Sequence, residues 1–238
     1  MFADDEAQLL IEAAQSPAEL AAMVDRRVAG LPLEQVIGWA EFCGLRIAVD
    51  AGVFVPRRRT EFLVAQAIDL AGQAPVVVDM CCGTGAVGVA VTAVMHDVEL
   101  HAVDIDPAAV QCARRNVGTN GQVYEGDLFD ALPDDVRGRV DLLIANAPYV
   151  PTADIALLPA EARLYEARVA LDGGADGLDV QRRVIAGAPA WLAPGGFLLV
   201  ETSERQAPHT VEAFTHAGLT ARVARDDDVN ATVVIGTT

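Results

Sequence analysis

A polar tetrapeptide, Asn146 to Tyr149, directly follows the apolar run VDLLIA, and its residue types could carry out chemistry on a planar nitrogen. An amide nitrogen is a poor nucleophile because its lone pair is delocalised. Two acceptors, Asn146 Oδ1 and the backbone carbonyl before Pro148, could hold both N–H bonds and orient the lone pair. The Tyr149 ring could stack on the acceptor. Taken alone, however, Asn-Ala-Pro-Tyr is more typical of a turn that ends a strand.

Three acidic residues follow three successive predicted strands. Asp79 lies in the strand VVVDM, Asp104 lies at the end of VELHAVDI, and Asp127 follows the short strand QVYEG. Ligands of parallel sheets bind beyond the carboxyl ends of the strands, so we expect these carboxylates to meet at one edge of a sheet. Each acid alone could instead cap a helix, as we predict for Asp106 before Pro107.

A glycine-rich turn lies between the first two of these acids. Gly83, Gly85 and Gly88 have the GxGxxG spacing of a ligand-binding turn at a helix N-terminus, and that spacing also suits a nicotinamide dinucleotide. A carboxylate at Asp79 would repel a pyrophosphate but suits the ammonium and sulfonium groups of S-adenosylmethionine. The turn and the acids together predict an S-adenosylmethionine-dependent methyltransferase. Asp104 would then accept hydrogen bonds from the ribose hydroxyls of the cofactor, and Asp127 would accept one from the adenine amino group.

The elements that must position these residues alternate along the chain. Apolar strand-like runs alternate with helical patterns, which predicts an α/β fold with a seven-stranded, mostly parallel sheet covered on both faces. We predict a short N-terminal helical segment at 1–35, a β-hairpin linker at 36–56 and the main domain at 57–238. The predicted helices of the main domain span 61–71, 87–95, 107–117, 178–191 and 205–217.

The composition argues against several classes of protein. The formal net charge of -17, from 34 acidic and 17 basic residues, would repel a polyanion such as nucleic acid. No run reaches the ~18 apolar residues of a membrane span, and the acidic start of the chain is unlike a signal peptide. The cysteines and histidines lack metal-ligand spacing, so we expect reduced thiols and no metal site. We expect a cytoplasmic protein; its oligomeric state stays open.

Several motifs occur in an order that characterises one enzyme family. They are PLEQVIGWAEFCG, VFVPRRRTEFLV, VVVDMCCGTGAVGVAV, AVDIDPAAVQCARRN, GDLFDALP, VDLLIANAPYVP, YEARVALDGGADGLDV and LAPGGFLLVETSERQ. From about Leu33 to Ile235 the chain resembles the protein-(glutamine-N5) methyltransferases of the HemK/PrmC type. These enzymes methylate the glutamine of the GGQ tripeptide in peptide-chain release factors. The resemblance implies a class I, Rossmann-like methyltransferase fold, S-adenosylmethionine as cofactor and a protein substrate.

The resemblance also implies a role for each residue that matches a family motif. Asn146, Pro148 and Tyr149 match the Asn-Pro-Pro-Tyr motif and would be catalytic. The implied cofactor-binding residues are Asp79, Cys81, Gly83, Thr84, Gly85, Asp104, Ile105, Asp127, Leu128 and Asn146. The implied substrate-binding residues are Phe54, Pro56, Arg57, Thr60, Ala147 and Glu166.

The chain departs from the family pattern in three places. Ala147 replaces the first proline of Asn-Pro-Pro-Tyr, which keeps the carbonyl that the mechanism needs. Arg58 and Arg59 replace two residues of a Pro-Arg-Pro-Glu-Thr-Glu segment, so that with Arg57 they would form a basic cluster near the mouth of the pocket. The segment before QVIGW is about half as long as the family's N-terminal helical domain, which recognises the release factor.

Other functions stay open at this point. The acceptor could be another amine or amide, in a small molecule, a peptide natural product or an adenine of nucleic acid. Adenine methyltransferases share an Asn/Asp-Pro-Pro-Tyr motif, but the acidic composition offers no basic groove for nucleic acid. A non-catalytic module that binds S-adenosylmethionine and a nicotinamide oxidoreductase are the alternatives outside this class.

Overall fold

Residues 3–238, which a computed structural model describes, form a seven-stranded sheet covered by helices on both faces and preceded by a two-stranded hairpin. In chain order the strands are Trp39–Phe42 (β1), Leu45–Ala48 (β2), Val76–Met80 (β3), Glu99–Asp104 (β4), Gln122–Glu125 (β5), Val140–Ala145 (β6), Leu192–Thr202 (β7), Thr220–Asp226 (β8) and Ala231–Thr237 (β9). The α-helices are Ala3–Ala13 (α1), Pro17–Val28 (α2), Leu33–Ile37 (α3), Thr60–Leu70 (α4), Ala86–Val94 (α5), Pro107–Val117 (α6), Ala160–Tyr165 (α7), Asp179–Gly187 (α8) and Ala207–His216 (α9). Within these residues, no helix combines the length and apolar character needed to cross a bilayer.

The strand order of the main sheet creates a cleft above β3. The order is β5-β4-β3-β6-β7-β9-β8, with β3 to β7 parallel and β9 antiparallel to both of its neighbours. The chain therefore runs outward from β3 to β5 and then returns to the other side of β3 as β6. Such a reversal opens a crevice at the carboxyl ends of the strands, where ligands bind in open α/β sheets. The predicted mostly parallel, seven-stranded sheet is confirmed.

The central strands are buried because both faces of the sheet are covered. Every residue of β3 is buried, as expected for a central strand of a parallel sheet. Val78 and Leu143 pack with α8 and α9 on one face, while Val77 and Leu142 pack with α4 and α5 on the other. The period-two alternation of each strand thus supplies side chains to two core layers.

Local sequence signals set several helix starts. Asp106 caps α6, because its Oδ1 accepts from the Ala108 backbone N–H at 2.9 Å, and Pro107 is the first helical residue. Ser16 caps α2 in the same way through the Glu19 N–H, at 3.2 Å. The predicted cap at Asp106 is therefore confirmed.

The N-terminal helices form a small cluster of their own. Leu10, Met23, Leu33 and Val36 are its buried side chains. Arg27 bonds to carboxylates both within this cluster and on α7 of the main domain, at 2.8 and 2.6 Å. Helix α3 continues across the predicted limit between 35 and 36, and the division into 1–35, 36–56 and 57–238 stays a prediction.

Two segments differ from the predicted elements. The segment after β6, where no helix was predicted, contains α7 and the 3-10 helices Thr152–Leu157 and Arg168–Ala170. The helix predicted over 178–191 ends as an α-helix at Gly187 and continues as the 3-10 helix Ala188–Ala190. Pro189 lies in that last turn, and its missing N–H cannot continue the α-helical hydrogen bonds.

We expect Leu142→Ala to destabilise the fold by about 2–5 kcal/mol, because it removes a fully buried side chain from the central strand β6. Leu157→Ala is the matched control, since this leucine is 80% exposed and its loss should change stability by less than about 0.5 kcal/mol. Urea unfolding followed by circular dichroism measures both. Equal effects of the two substitutions would contradict the assigned core.

Candidate active site

One cavity of about 520 Å³ opens at the carboxyl ends of β3, β4 and β6. All of the implied catalytic, cofactor-binding and substrate-binding residues line this cavity except Gly85. Gly85 lies at the start of α5 with a φ of 74°, and a Cβ atom there would come within 3.2 Å of Val117. Its place in the turn therefore reflects backbone conformation and close packing between α5 and α6.

Asp79 places a buried carboxylate in the wall of the cavity. The residue is 2% exposed, and its Oδ2 accepts from the Gly88 N–H at 2.9 Å. Burial raises the pKa of Asp79 to about 7; the Gly88 N–H opposes this rise and the nearby Asp104 carboxylate adds to it. Among the described residues 3–238, Asp79 forms no salt bridge. The carboxylate is therefore suited to a cationic group supplied by a ligand.

Asp104 holds the glycine turn as well as facing the cavity. Its Oδ2 accepts from the Gly83 N–H at 2.8 Å, and its Oδ1 accepts from the Asp106 N–H at 2.9 Å. Burial raises the pKa of Asp104, while these backbone N–H groups oppose the rise. Each oxygen has a second lone pair that can accept from a ligand hydroxyl, and the predicted contact with ribose hydroxyls stays a prediction.

The third acid lies at the rim of the same cavity. Asp127 Oδ2 accepts from Arg183 Nη2 at 2.8 Å, an ion pair that the sequence reasoning did not foresee. Leu128 is buried and Ile105 is 50% exposed, and both line the cavity. These apolar side chains offer surface for a flat base, and the predicted adenine contact of Asp127 stays a prediction.

Two adjacent cysteines belong to the turn between Asp79 and Gly83. Both thiols are free, and Cys81 adopts a positive φ of 58°. Burial, with the neighbouring carboxylates, raises the pKa of both thiols well above the ordinary value. Neutral thiols of this kind act as small side chains that line the cavity, not as nucleophiles.

The amide of Asn146 lies at the carboxyl end of β6, beside the glycine turn. The register of β3 and β6 pairs Met80 with Ala145, so that Asn146 follows at the same edge as the turn. Asn146 Nδ2 donates to Thr60 Oγ1 at 3.2 Å. Because the amino group is engaged by a buried hydroxyl, Oδ1 is the end of the amide that can accept from a substrate.

The backbone after Asn146 is held by several hydrogen bonds. Ala147 borders the cavity, although it has almost no solvent-exposed surface. Gln206 Nε2 donates to the Tyr149 carbonyl at 2.9 Å, and Val150 N–H donates to the Leu171 carbonyl at 3.1 Å. These bonds join the tetrapeptide and Val150 to the N-cap residue of α9 and to the segment after α7, so the loop is fixed although its first proline is missing.

Tyr149 is held by two charged side chains that lie far away in the sequence. Its hydroxyl accepts from Arg59 Nη2 at 2.5 Å and donates to Glu201 Oε1 at 3.4 Å. Arg59 Nε also donates to Glu201 Oε1, at 3.2 Å. Burial, with the Glu201 charge, raises the pKa of Tyr149 to about 12, and Arg59 opposes the rise. The sequence reasoning did not single out Glu201, although it lies in the motif LAPGGFLLVETSERQ.

A second arginine–carboxylate pair forms another part of the cavity wall. Arg57 Nη2 donates to both oxygens of Glu166 at 2.6 Å, and the Glu166 side chain has no exposed surface. The Arg57 guanidinium lies 4.6 Å from the centre of the Phe54 ring. Two members of the predicted basic cluster, Arg57 and Arg59, thus line the cavity with their charges paired, whereas Arg58 does not line it.

Comparison with known proteins agrees with this geometry. A family model described as the methyltransferase small domain matches residues 44–175. The release factor glutamine methyltransferase of Geobacter sulfurreducens is 40% identical over 209 residues, which cover 85% of this chain and 72% of that protein. The chain belongs to the release factor glutamine methyltransferase family. The corresponding protein of Mycolicibacterium smegmatis is 39% identical over 233 residues, or 94% of this chain and 81% of that protein.

Membership of the release factor glutamine methyltransferase family makes this chain an S-adenosylmethionine-dependent methyltransferase. The fold agrees, since a solved methyltransferase from Pyrococcus furiosus has a TM-score of 0.61 over 81% of this chain and 88% of that chain, at 16% identity. The predicted class I methyltransferase fold is confirmed. The cavity fits the cofactor, because Asp79 is a buried carboxylate that forms no salt bridge within residues 3–238 and the turn before α5 brings backbone close to the same space.

We expect the affinity for S-adenosylmethionine to fall as the pH drops below about 7. Asp79 must be ionised to hold the cofactor's ammonium, and its pKa in the free protein is about 7. Below that pH, the association constant should fall by up to about tenfold per pH unit, while the cofactor's amino group stays protonated. Isothermal titration calorimetry between about pH 5.5 and 7.5 measures this dependence.

Asp79→Asn should weaken binding at pH 7.5 and remove most of this dependence. Asp69→Asn is the matched control, because Asp69 is exposed on α4 and should leave the pH profile unchanged. An Asp79→Asn variant with the wild-type pH profile would show that another group is responsible.

Proposed function

We propose that this chain transfers a methyl group from S-adenosylmethionine to the side-chain amide nitrogen of a glutamine in a protein, the GGQ glutamine of a peptide-chain release factor. The observation that carries the proposal is the position of Asn146. Its amide is oriented by Thr60 and lies in one cavity with Asp79, the carboxylate suited to the cofactor's ammonium. Curated relatives that are 35% and 40% identical to the chain are release factor glutamine methyltransferases.

The residues of the chain act by position, not as strong bases. When bound, S-adenosylmethionine supplies an electrophilic methyl group on a sulfonium. Asn146 Oδ1 and the Ala147 carbonyl accept from the two N–H bonds of the glutamine amide, which directs the nitrogen lone pair toward the methyl. Both acceptors stabilise the positive charge that develops on the nitrogen as the nitrogen–carbon bond forms and the carbon–sulfur bond breaks. The sulfur leaves as a neutral thioether, and the nitrogen loses a proton to water, which restores a neutral amide. Tyr149 stays protonated and supplies a flat face against the amide plane.

The charges in the cavity wall favour a protein amide as the methyl acceptor rather than a nucleic acid. Two arginines that line the cavity, Arg57 and Arg59, are paired with the carboxylates of Glu166 and Glu201. A nucleic acid needs cations free to neutralise phosphates, and the net charge of -17 opposes its approach. A protein acceptor does not need free cations in the cavity. If the acceptor is a release factor, the enzyme acts in the cytoplasm.

We expect Asn146→Ala to lower kcat by about 10²–10³-fold, since it removes one of the two acceptors that stabilise the transition state. Thr60→Val should give a smaller loss, because it removes the hydroxyl that orients Asn146 while keeping the size of the side chain. Transfer of a radiolabelled methyl group from S-adenosylmethionine to purified release factor measures both. Asn120→Ala, at an exposed asparagine after α6, is the matched control and should retain full activity.

The acceptor itself is tested in the same assay. A release factor whose GGQ glutamine is replaced by alanine should accept no label, and mass spectrometry should place one added methyl group on the GGQ peptide of the wild-type factor. Label on the alanine variant, or none on the wild-type factor, would refute the proposed acceptor. Full activity of Asn146→Ala with normal cofactor affinity would refute the proposed mechanism.

A further inference from the structure

The carboxylate of Glu201 is buried with one oxygen unsatisfied. Its side chain is 1% exposed, and Oε2 is the one buried side-chain nitrogen or oxygen that lacks a hydrogen-bond partner in the part of the chain that the structure describes. A buried carboxylate oxygen without a partner destabilises a fold, and a neutral residue of similar size would avoid this cost. Such an atom calls for an explanation beyond packing.

The backbone of Glu201 is rigidly placed beside the active site. Glu201 pairs with Val233 of β9, and its carbonyl accepts from Gln181 Nε2 of α8 at 2.9 Å. On the other side, the register pairs Val200 with Ala145 of β6. Glu201 therefore follows at the same sheet edge as Asn146, one strand away, but lies behind the cavity wall and does not line the cavity.

Two side chains connect this carboxylate to the cavity. Glu201 Oε1 accepts from Arg59 Nε at 3.2 Å and from the Tyr149 hydroxyl at 3.4 Å. Arg59 also donates to the Tyr149 hydroxyl, and its guanidinium lies 5.8 Å from the centre of that ring. Arginine has many rotamers and this side chain is 42% exposed, so Arg59 alone would hold the ring weakly. A fixed, buried negative charge selects the conformation in which Arg59 bonds to the tyrosine.

We propose that Glu201 is a positioning residue for methyl transfer: through Arg59 and the hydroxyl of Tyr149, it fixes the aromatic ring that holds the acceptor amide. Gln206 holds the other end of the same residue by its bond to the Tyr149 carbonyl. The ring is thus tied both at its hydroxyl and at its backbone, and the unsatisfied oxygen is the cost of placing a full charge behind it. This inference rests on the proposed function and specifies how its acceptor site is held in place.

The kinetic test compares Glu201→Gln with the wild type, using release factor as acceptor. Glu201→Gln keeps the size of the side chain and removes its charge. We expect kcat to fall by about 10- to 100-fold, because a misplaced acceptor amide reacts more slowly. The affinity for S-adenosylmethionine should not change. In a Tyr149→Phe background, the same substitution should cause little further loss, because the hydroxyl through which Glu201 acts is gone. Glu204→Gln, at an exposed glutamate two residues beyond β7, is the matched control and should retain full activity.

A structural role alone predicts different results. Unchanged kcat in Glu201→Gln, a loss matched by weaker cofactor binding, or an equal loss in the wild-type and Tyr149→Phe backgrounds would each overturn the proposal. Failure of the wild-type protein to methylate release factor would instead refute the proposed function, and a measurement independent of activity then decides the role of Glu201.

That measurement is fluorine NMR of protein containing 3-fluorotyrosine. The chain has three tyrosines, and Tyr149→Phe identifies the resonance that belongs to Tyr149. Glu201→Gln should shift this resonance and lower the pKa of Tyr149 relative to otherwise identical fluorinated protein, because the Glu201 charge contributes to raising that pKa. Glu204→Gln should leave both unchanged. An unshifted resonance with an unchanged pKa in Glu201→Gln would overturn the proposal whatever the acceptor proves to be.

Discussion

The parallel pairing of β3 with β6 is the constraint on which the site depends. It brings together two chain segments that are distant in sequence, and its register sets Asn146 beside the glycine turn that follows Asp79. A shift of one residue would turn each side chain to the opposite face and separate the carboxylate from the amide. Residues of β3 and β6 also form part of the two core layers that cover the sheet. The same strand pairing therefore supports both the stability of the fold and the geometry of the site.

Buried carboxylates around the cavity fall into two kinds. Glu166 and Glu201 each face an arginine of the segment before α4, which balances their charge and fixes the wall. Asp79 faces no cation within residues 3–238, and burial raises its pKa to about 7. Glu166 and Glu201 therefore stabilise the wall of the proposed acceptor site. Asp79 can instead bind a cationic ligand, which is consistent with the cofactor of the release factor glutamine methyltransferase family.

The residues selected by strand-end reasoning line one cavity, and they could be selected because the relevant signals are local. Asp79, Asp104 and Asn146 were each recognisable from an apolar run followed by a polar residue, and the alternation of elements then placed them at one edge. The bonds from Thr60 to Asn146 and from Arg59 to Tyr149 and Glu201 were not predictable in this way. They join segments whose meeting depends on how α4 and β7 pack in three dimensions. The short helices after β6 were not predicted either, because Pro148, Pro151 and Pro159 interrupt the helical pattern there.

Mass spectrometry of release factor from living cells tests the central claim most directly. The gene for this chain would be deleted and then restored either as the wild type or as Asn146→Ala, with equal amounts of protein present. The account predicts a methylated GGQ glutamine with the wild type and an unmethylated one with the variant. Methylation restored equally by Asn146→Ala, or a glutamine still methylated in the deletion strain, would contradict it.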